Sequence, residues 1–291
     1  MLAPIATVAA TLAGCPLFPS SFATNQRVDT LPVAADSNAI VRSIGTDGAI
    51  HADFGSGLWD GGPIGIPYDV VGRGTRRSRV RFDYADESDR VRYPIPRGVH
   101  IEGGRASDGD RHALLVDRSR CKLFELYALR KDSGRWTAGS GATWSLKRPT
   151  LRPSGWTSAD AAGLPILPLL ARYPEVKRGR ITHALRMTVS QTRPAFVFPA
   201  RHFASSDTDA SLPRMGERLR LKASVDISGL PRQARIVAQA MKEYGLIVAD
   251  NGSDWYVSGS PDRHWDNDAL HALGALEGRD FEVVDAGALA P

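Results

Sequence analysis

EYGLIVADNGSDWYVSG, Glu243 to Gly259, is the stretch whose reading decides the fold. Leu246-Ile247-Val248-Ala249 is a continuous apolar run with the length of a buried strand. Asn251-Gly252 is a preferred pair for a two-residue hairpin turn, and Trp255-Tyr256-Val257 resumes an extended pattern. A tight hairpin is the expectation. Upstream, Pro231 sits at a favoured first-turn position, and Ala234, Val237, Ala238 and Met241 recur at i, i+3, i+4 and i+7, so a helix precedes the strand. Gly245 stands where a left-handed helix terminus belongs. Turn chemistry accounts for the asparagine and glycine. It does not require acids at both Asp250 and Asp254, nor Trp255 beside them, so turn and site both remain open readings.

Working outward, His112 to Leu129 (HALLVDRSRCKLFELYAL) is the clearest hairpin in the chain. GPIGIPYDVVG (Gly62–Gly72), SRVRFDY (Ser78–Tyr84) and RWTAGSGATWSL (Arg135–Leu146), with THALRMTV, PAFVFPA and ERLRLKASVDI, read as further strands bounded by Gly and Pro. Ser37–Gly45 reads as a short helix, and a last helix starts at Asp266 or Asn267. Helices are few and no βαβα alternation appears. The expected class is α+β, mainly an antiparallel β-sheet or sandwich. The expected organisation is a signal segment over 1–15, an extended lead-in over 16–36 and a single domain over 37–291.

The 291 residues are 42% hydrophobic and 24% charged, as in ordinary globular proteins. The 37 Lys+Arg against 32 Asp+Glu leave a net charge of +5, thin for a nucleic-acid binder. The arginines from Arg73 to Arg81 are followed by Asp83, Asp86, Glu87 and Asp89, which reads as a solvated surface. Ala3–Gly14 resembles the apolar core of an export signal. Leu12-Ala13-Gly14-Cys15 resembles a bacterial lipobox, which would make Cys15 a lipidated N-terminus, although no Lys or Arg precedes the apolar run. That implies an exported protein, lipid-anchored in the cell envelope or extracellular, touching membrane only through the lipid. A single Cys15–Cys121 bridge is the alternative, with Cys121 otherwise a small buried hydrophobe.

The blocks FDYADESD, SDGDRHALLVD, GWTSADAAGLPI and YGLIVADNGSDWY together resemble a family of uncharacterised secreted bacterial proteins. The resemblance implies export and carries no activity. LLVDRSRCKLFELY is also similar to the opening hairpin of L,D-transpeptidases. Those enzymes act through a cysteine in a downstream Ser-His-Gly-Cys block, which is absent here, so that activity is excluded.

Phosphate loops, dinucleotide fingerprints, zinc helices and nucleophile elbows are all missing from the sequence. Polar residues set in apolar strands remain. His112 and Glu125 fall close to opposite one another across the hairpin. His183 opens HALRMTV, and Asp250 sits at the turn. These four form the candidate acid–base set. Asp254 and Trp255 are candidate substrate contacts, because sugar sites combine aromatic faces with carboxylates, and Arg220 and Lys222 are the cations that would neutralise a uronate carboxylate in a lyase. The plain alternatives are water-facing strand positions, satisfied histidines and surface ion pairs. The expected function is carbohydrate-active, cleaving glycosidic bonds as a hydrolase or lyase without cofactor or metal. The rival is a non-catalytic envelope protein binding glycan or a partner. A third option joins His112, Glu125 and His183 as a metal triad.

Overall fold

The computed structural model describes residues 10–289, so residues 1–9 of the expected export signal lie outside the described residues. Two sheets organise the chain, and the neighbouring strands are mostly antiparallel. The larger has six strands in the order Phe281–Val283, Arg218–Leu221, Leu246–Asn251, Leu185–Val189, Tyr256–Ser258 and His51–Asp53. The smaller has four, in the order Gly141–Ser145, Lys122–Leu126, Ala113–Asp117 and Tyr68–Val71. Strand exceeds helix, and the fold is α+β as its sequence pattern implies.

The helix Arg232–Glu243 buries Ala234, Val237, Ala238 and Met241, the stripe that its spacing sets out. Gly245 then takes φ +75°, and a Cβ there would meet the Leu219 carbonyl oxygen at 2.4 Å, so glycine is required twice over. This helix and Ser37–Ile44 pack on the large sheet in one apolar core. In the smaller sheet the 112–129 hairpin pairs Leu114 with Glu125 and Leu115 with Phe124. Leu114, Val116 and Leu123 enter one apolar cluster, while Ala113, Leu115, Phe124 and Leu126 enter another. Both faces are covered, which is why the strand is apolar throughout rather than alternating.

Three expectations are corrected. The Asn251-Gly252 turn closes no hairpin, because Leu185–Val189 lies between the flanking strands, parallel to one and antiparallel to the other. Giving that apolar strand partners on both edges outweighs local turn preference. The PAFVFPA segment makes only an isolated bridge, Phe196 to Met215, and contains a cis Phe198–Pro199 bond. The lead-in is packed rather than extended: Leu17, Phe18, Phe22, Ala23 and Val28 are buried.

Lipidation of Cys15 is overturned too. Its sulfur is bonded to Cys121, with the Cα atoms 5.3 Å apart, so it has no valence left for a lipid thioether. Disulfides persist in oxidising compartments, and this bond points to a place outside the reducing cytoplasm. No helix among the described residues is long and apolar enough to cross a membrane. The bridge joins residues 106 apart in sequence. A loop of that order restricts the unfolded chain by about 4.7 kcal/mol. Cys121→Ser is expected to lose stability of that order in denaturant titration, and addition of reductant should then change nothing further.

Candidate functional site

The cross-strand register of the large sheet builds one polar face. Arg186 and Thr188 alternate along the central strand, and Thr188 pairs with Tyr256. Tyr256 and Ser258 pair in turn with His51 and Asp53, so Asp53 joins the same face. The Leu246–Asn251 strand reaches this face by a bulge. Met187 pairs with Val248 but Thr188 pairs with Asp250, so Ala249 is the extra residue. Side chains alternate with period two, and a one-residue insertion transfers Asp250 to the side of Arg186 and Thr188. The Ala249 carbonyl accepts from the Ala162 N–H.

Arg186 is buried and ties this face together. Its guanidinium donates to both oxygens of Asp160, to Asp250 Oδ2 at 2.8 Å and to Ser258 Oγ at 2.8 Å. Asp160 is wholly buried, whereas the Asp250 side chain keeps 22% of its surface open. The second wall comes from residues 101–112, which lead into the smaller sheet. His112 Nδ1 donates to Glu102 Oε2 at 2.5 Å and Nε2 donates to the Ala159 carbonyl at 2.9 Å. A carbonyl can only accept and a carboxylate is an acceptor, so His112 is an imidazolium. The two walls enclose a cavity of about 250 Å3, lined among others by Asp53, Glu102, Asp110, His112, Arg186 and Asp250.

Burial and charge drive the titrations apart. Burial works to lower the His112 pKa, but the charge and hydrogen bond of Glu102 overcome it and raise it to about 9. Burial works to raise Glu102, and the His112 imidazolium brings it below the ordinary carboxylate value. Burial pushes Asp250 up to about 7 with Asp160 adding to it, against the pull of Arg186. Asp53 is raised by burial and by Glu102. The pocket thus holds one carboxylate whose titration is pushed down and one carboxyl whose titration is pushed up toward neutrality.

Of the residues singled out from sequence, His112 and Asp250 meet in this pocket and the other six do not. Glu125 is buried in the small sheet, where it accepts from Trp144 Nε1 and from the N–H groups of Ile166 and Leu167. It satisfies backbone donors, and burial raises it to about 7 against those bonds. His183 donates to the Ala184 carbonyl and accepts from Arg172, beside Glu175. Separate networks therefore hold the three residues of the supposed metal triad. Asp254 accepts from the N–H and hydroxyl of Ser190. Trp255 is fully buried, donates to the Gly45 carbonyl and packs on Phe281, so no sugar can stack on it. Gly48 and Gly278 make room for its ring: a Cβ would approach it to 2.5 Å at the first and 2.7 Å at the second. Arg220 pairs with Glu282, and Lys222 donates to the Arg279 carbonyl.

Sequence reading missed Arg186, Glu102, Asp110, Asp53, Tyr256 and Ser258. A signal existed for some of them. Arg186 and Thr188 interrupt an apolar strand at period two, and an arginine in such a strand demands a buried acid. Compared with protein-family models, curated proteins and solved structures, the chain matches none of them.

Two outcomes test this assignment. His112 has a folded pKa of about 9 against an ordinary 6.5, so the Glu102–His112 pair stabilises fully from pH 6.5 down to the carboxylate range, where Glu102 takes up its proton, and its contribution disappears as pH rises through about 9. Denaturant titrations across that window should show stability falling in the wild type and nearly level in Glu102→Gln. Glu125→Gln turns an N–H donor toward the donors that Glu125 accepts from. It should cost about 1–3 kcal/mol while leaving any ligand affinity of the pocket intact.

Proposed function

We propose that the protein is a carbohydrate-active protein of an oxidising compartment, cleaving glycosidic bonds in the pocket between its sheets. The observation that carries this reading is the pair Asp250 and Glu102, two carboxyls in one cavity whose pKa values are displaced in opposite directions. Cleavage of a glycosidic bond needs a proton for the departing oxygen and a carboxylate that activates water or attacks the sugar. A protonated Asp250 supplies the proton. Glu102, ionised and oriented by His112, supplies the base; its Oε2 is bonded to the imidazolium, and no hydrogen bond engages Oε1 among the described residues. Asp53, Asp110 and Ser258 line the same cavity and offer hydrogen bonds to hydroxyls. Its volume suits a single sugar ring with its substituents.

A divalent cation is the second reading, because ligand atoms of Glu102, Asp110 and His112 lie within 4.8 Å of one another. It asks His112 to lose a proton and exchange the Glu102 carboxylate for a metal. The pKa of about 9 opposes that exchange.

Cleavage should be lost as pH rises through about 7, where Asp250 ionises, since the acid must hold its proton. Asp250→Asn should abolish turnover of a glycan substrate. It is not silent for the fold, because one asparagine oxygen replaces two acceptors that now serve Arg186 and the Asn251 N–H. A stability loss of about 1–2 kcal/mol is expected. Undiminished turnover in this variant, or a pH profile flat through 7, rejects the assignment. Glycan binding with no cleavage at any pH selects a non-catalytic binding protein.

A further inference from the structure

On the outer side of residues 101–112 lies a second and much larger depression, a groove of about 1580 Å3. Its lining contains nine arginines and a lysine and no carboxylate. Arg77 is paired with Asp117, and Arg111 is buried and donates to carbonyls of Leu129, Arg105 and Ser107. Arg76, Arg79, Arg81, Arg92, Arg97 and Arg135 are exposed, and no ion pair among the described residues involves them. Two of the four acids that follow them in sequence are engaged elsewhere, and none of the four lines the groove. Asp89 binds Arg152 and the N–H of Thr143, and Glu87 accepts from the N–H of Thr157. Charges balanced in sequence are therefore separated in space, and the run that reads as a solvated surface lines a concave basic wall. Like charges held this close repel one another, which a polyanion would relieve.

The groove adjoins the pocket. Ile101, Gly104, Arg105 and Arg111 face the groove, while their neighbours Glu102, Asp110 and His112 line the pocket. We infer that the groove binds an acidic polysaccharide, a chain bearing carboxylates at regular intervals. The volume and charge of the groove suit several sugar residues rather than one small anion. Single-stranded nucleic acid would need aromatic platforms for its bases. Trp136 is the aromatic residue of the lining, and Lys131 already lies over its ring at 5.3 Å. The disulfide, which points away from the reducing cytoplasm, also favours a polymer met there. The pocket carries the positive charges of Arg186 and His112 as well as its carboxylates, which offsets its repulsion of an acidic chain. Binding in the groove stands independently of the acid–base reading. Where that reading holds, the chain cleaved is acidic.

The test is equilibrium binding of an oligogalacturonate, a neutral cello-oligosaccharide and a single-stranded oligothymidylate of equal length. The oligogalacturonate should bind with an affinity that falls steeply with salt, and the neutral oligomer should not compete. The doubly reversed variant Arg79→Glu/Arg97→Glu, changed only at exposed positions, should bind about tenfold more weakly with a flatter salt dependence. In Asp250→Asn, which changes the pocket and leaves the groove lining intact, the steep salt dependence of oligogalacturonate binding should persist, so loss of cleavage and loss of groove binding are read separately. Equal affinity for neutral and acidic oligomers overturns the inference. So does tighter binding of the oligothymidylate, or a reversed variant with unchanged melting temperature and unchanged affinity.

Discussion

A single buried guanidinium holds the site in place. Arg186 sits in the centre of the large sheet, and an unpaired charge there would cost several kcal/mol. Asp160 meets that demand with both of its oxygens and is itself wholly buried. Asp160 belongs to a segment with no regular structure of its own, yet the ion pair fixes it against the sheet. The residue before it, Ala159, then presents its carbonyl to His112 Nε2. One charge pair therefore sets the distance between the two walls of the pocket. It also explains why His112 keeps both protons: a carbonyl on one side and Glu102 on the other accept them. Removing Asp160 would strand Arg186 and release the support of His112 together, a coupling expected of groups in one network.

The same fold separates charge on a larger scale. Acidic and basic residues nearly cancel along the chain between 73 and 89, but Asp89 and Glu87 are drawn to Arg152, Thr143 and Thr157 while Arg76, Arg77, Arg79 and Arg81 line one groove without a carboxylate. The acidic pocket and the basic groove are then two sides of the 101–112 segment. Opposite potentials so close together give a ligand an orientation as well as an affinity. A polymer that is anionic along its length and presents hydroxyls at one ring would be aligned by both.

What was legible in the sequence is what local periodicity controls. The helix over 232–243, Gly245 after it and the 113–126 hairpin follow from spacing and pleat, and the structure has them. Long-range order was not legible. The insertion of Leu185–Val189 between two strands only a turn apart depends on which edges a distant segment can cover. For the site, His112 and Asp250 stood out as polar residues next to apolar runs. Glu125, His183 and Trp255 stood out equally and proved to satisfy interior hydrogen bonds. A single sequence cannot separate the two groups, because both arise from the cost of burying a polar atom. Cys15 was ambiguous for a related reason: its partner lies 106 residues away.

The acids flanking Asn251-Gly252 are now distinguishable. Asp254 anchors Ser190 and serves the path of the chain. Asp250 is a strand residue whose direction is decided by one inserted alanine. In unbroken register Ala249 would pair with Thr188 and Asp250 with Val189, on the side of Met187 and Val257 in the apolar core. A carboxylate placed there has no donor and would be severely destabilising. Arg186 would keep Asp160 and lose its second acid. The bulge is therefore no accident of loop length. It is the arrangement in which this strand keeps Val248 in the core and still brings a carboxyl to the guanidinium. The remaining fifth of the Asp250 side chain that stays open to the cavity is the part left for a ligand.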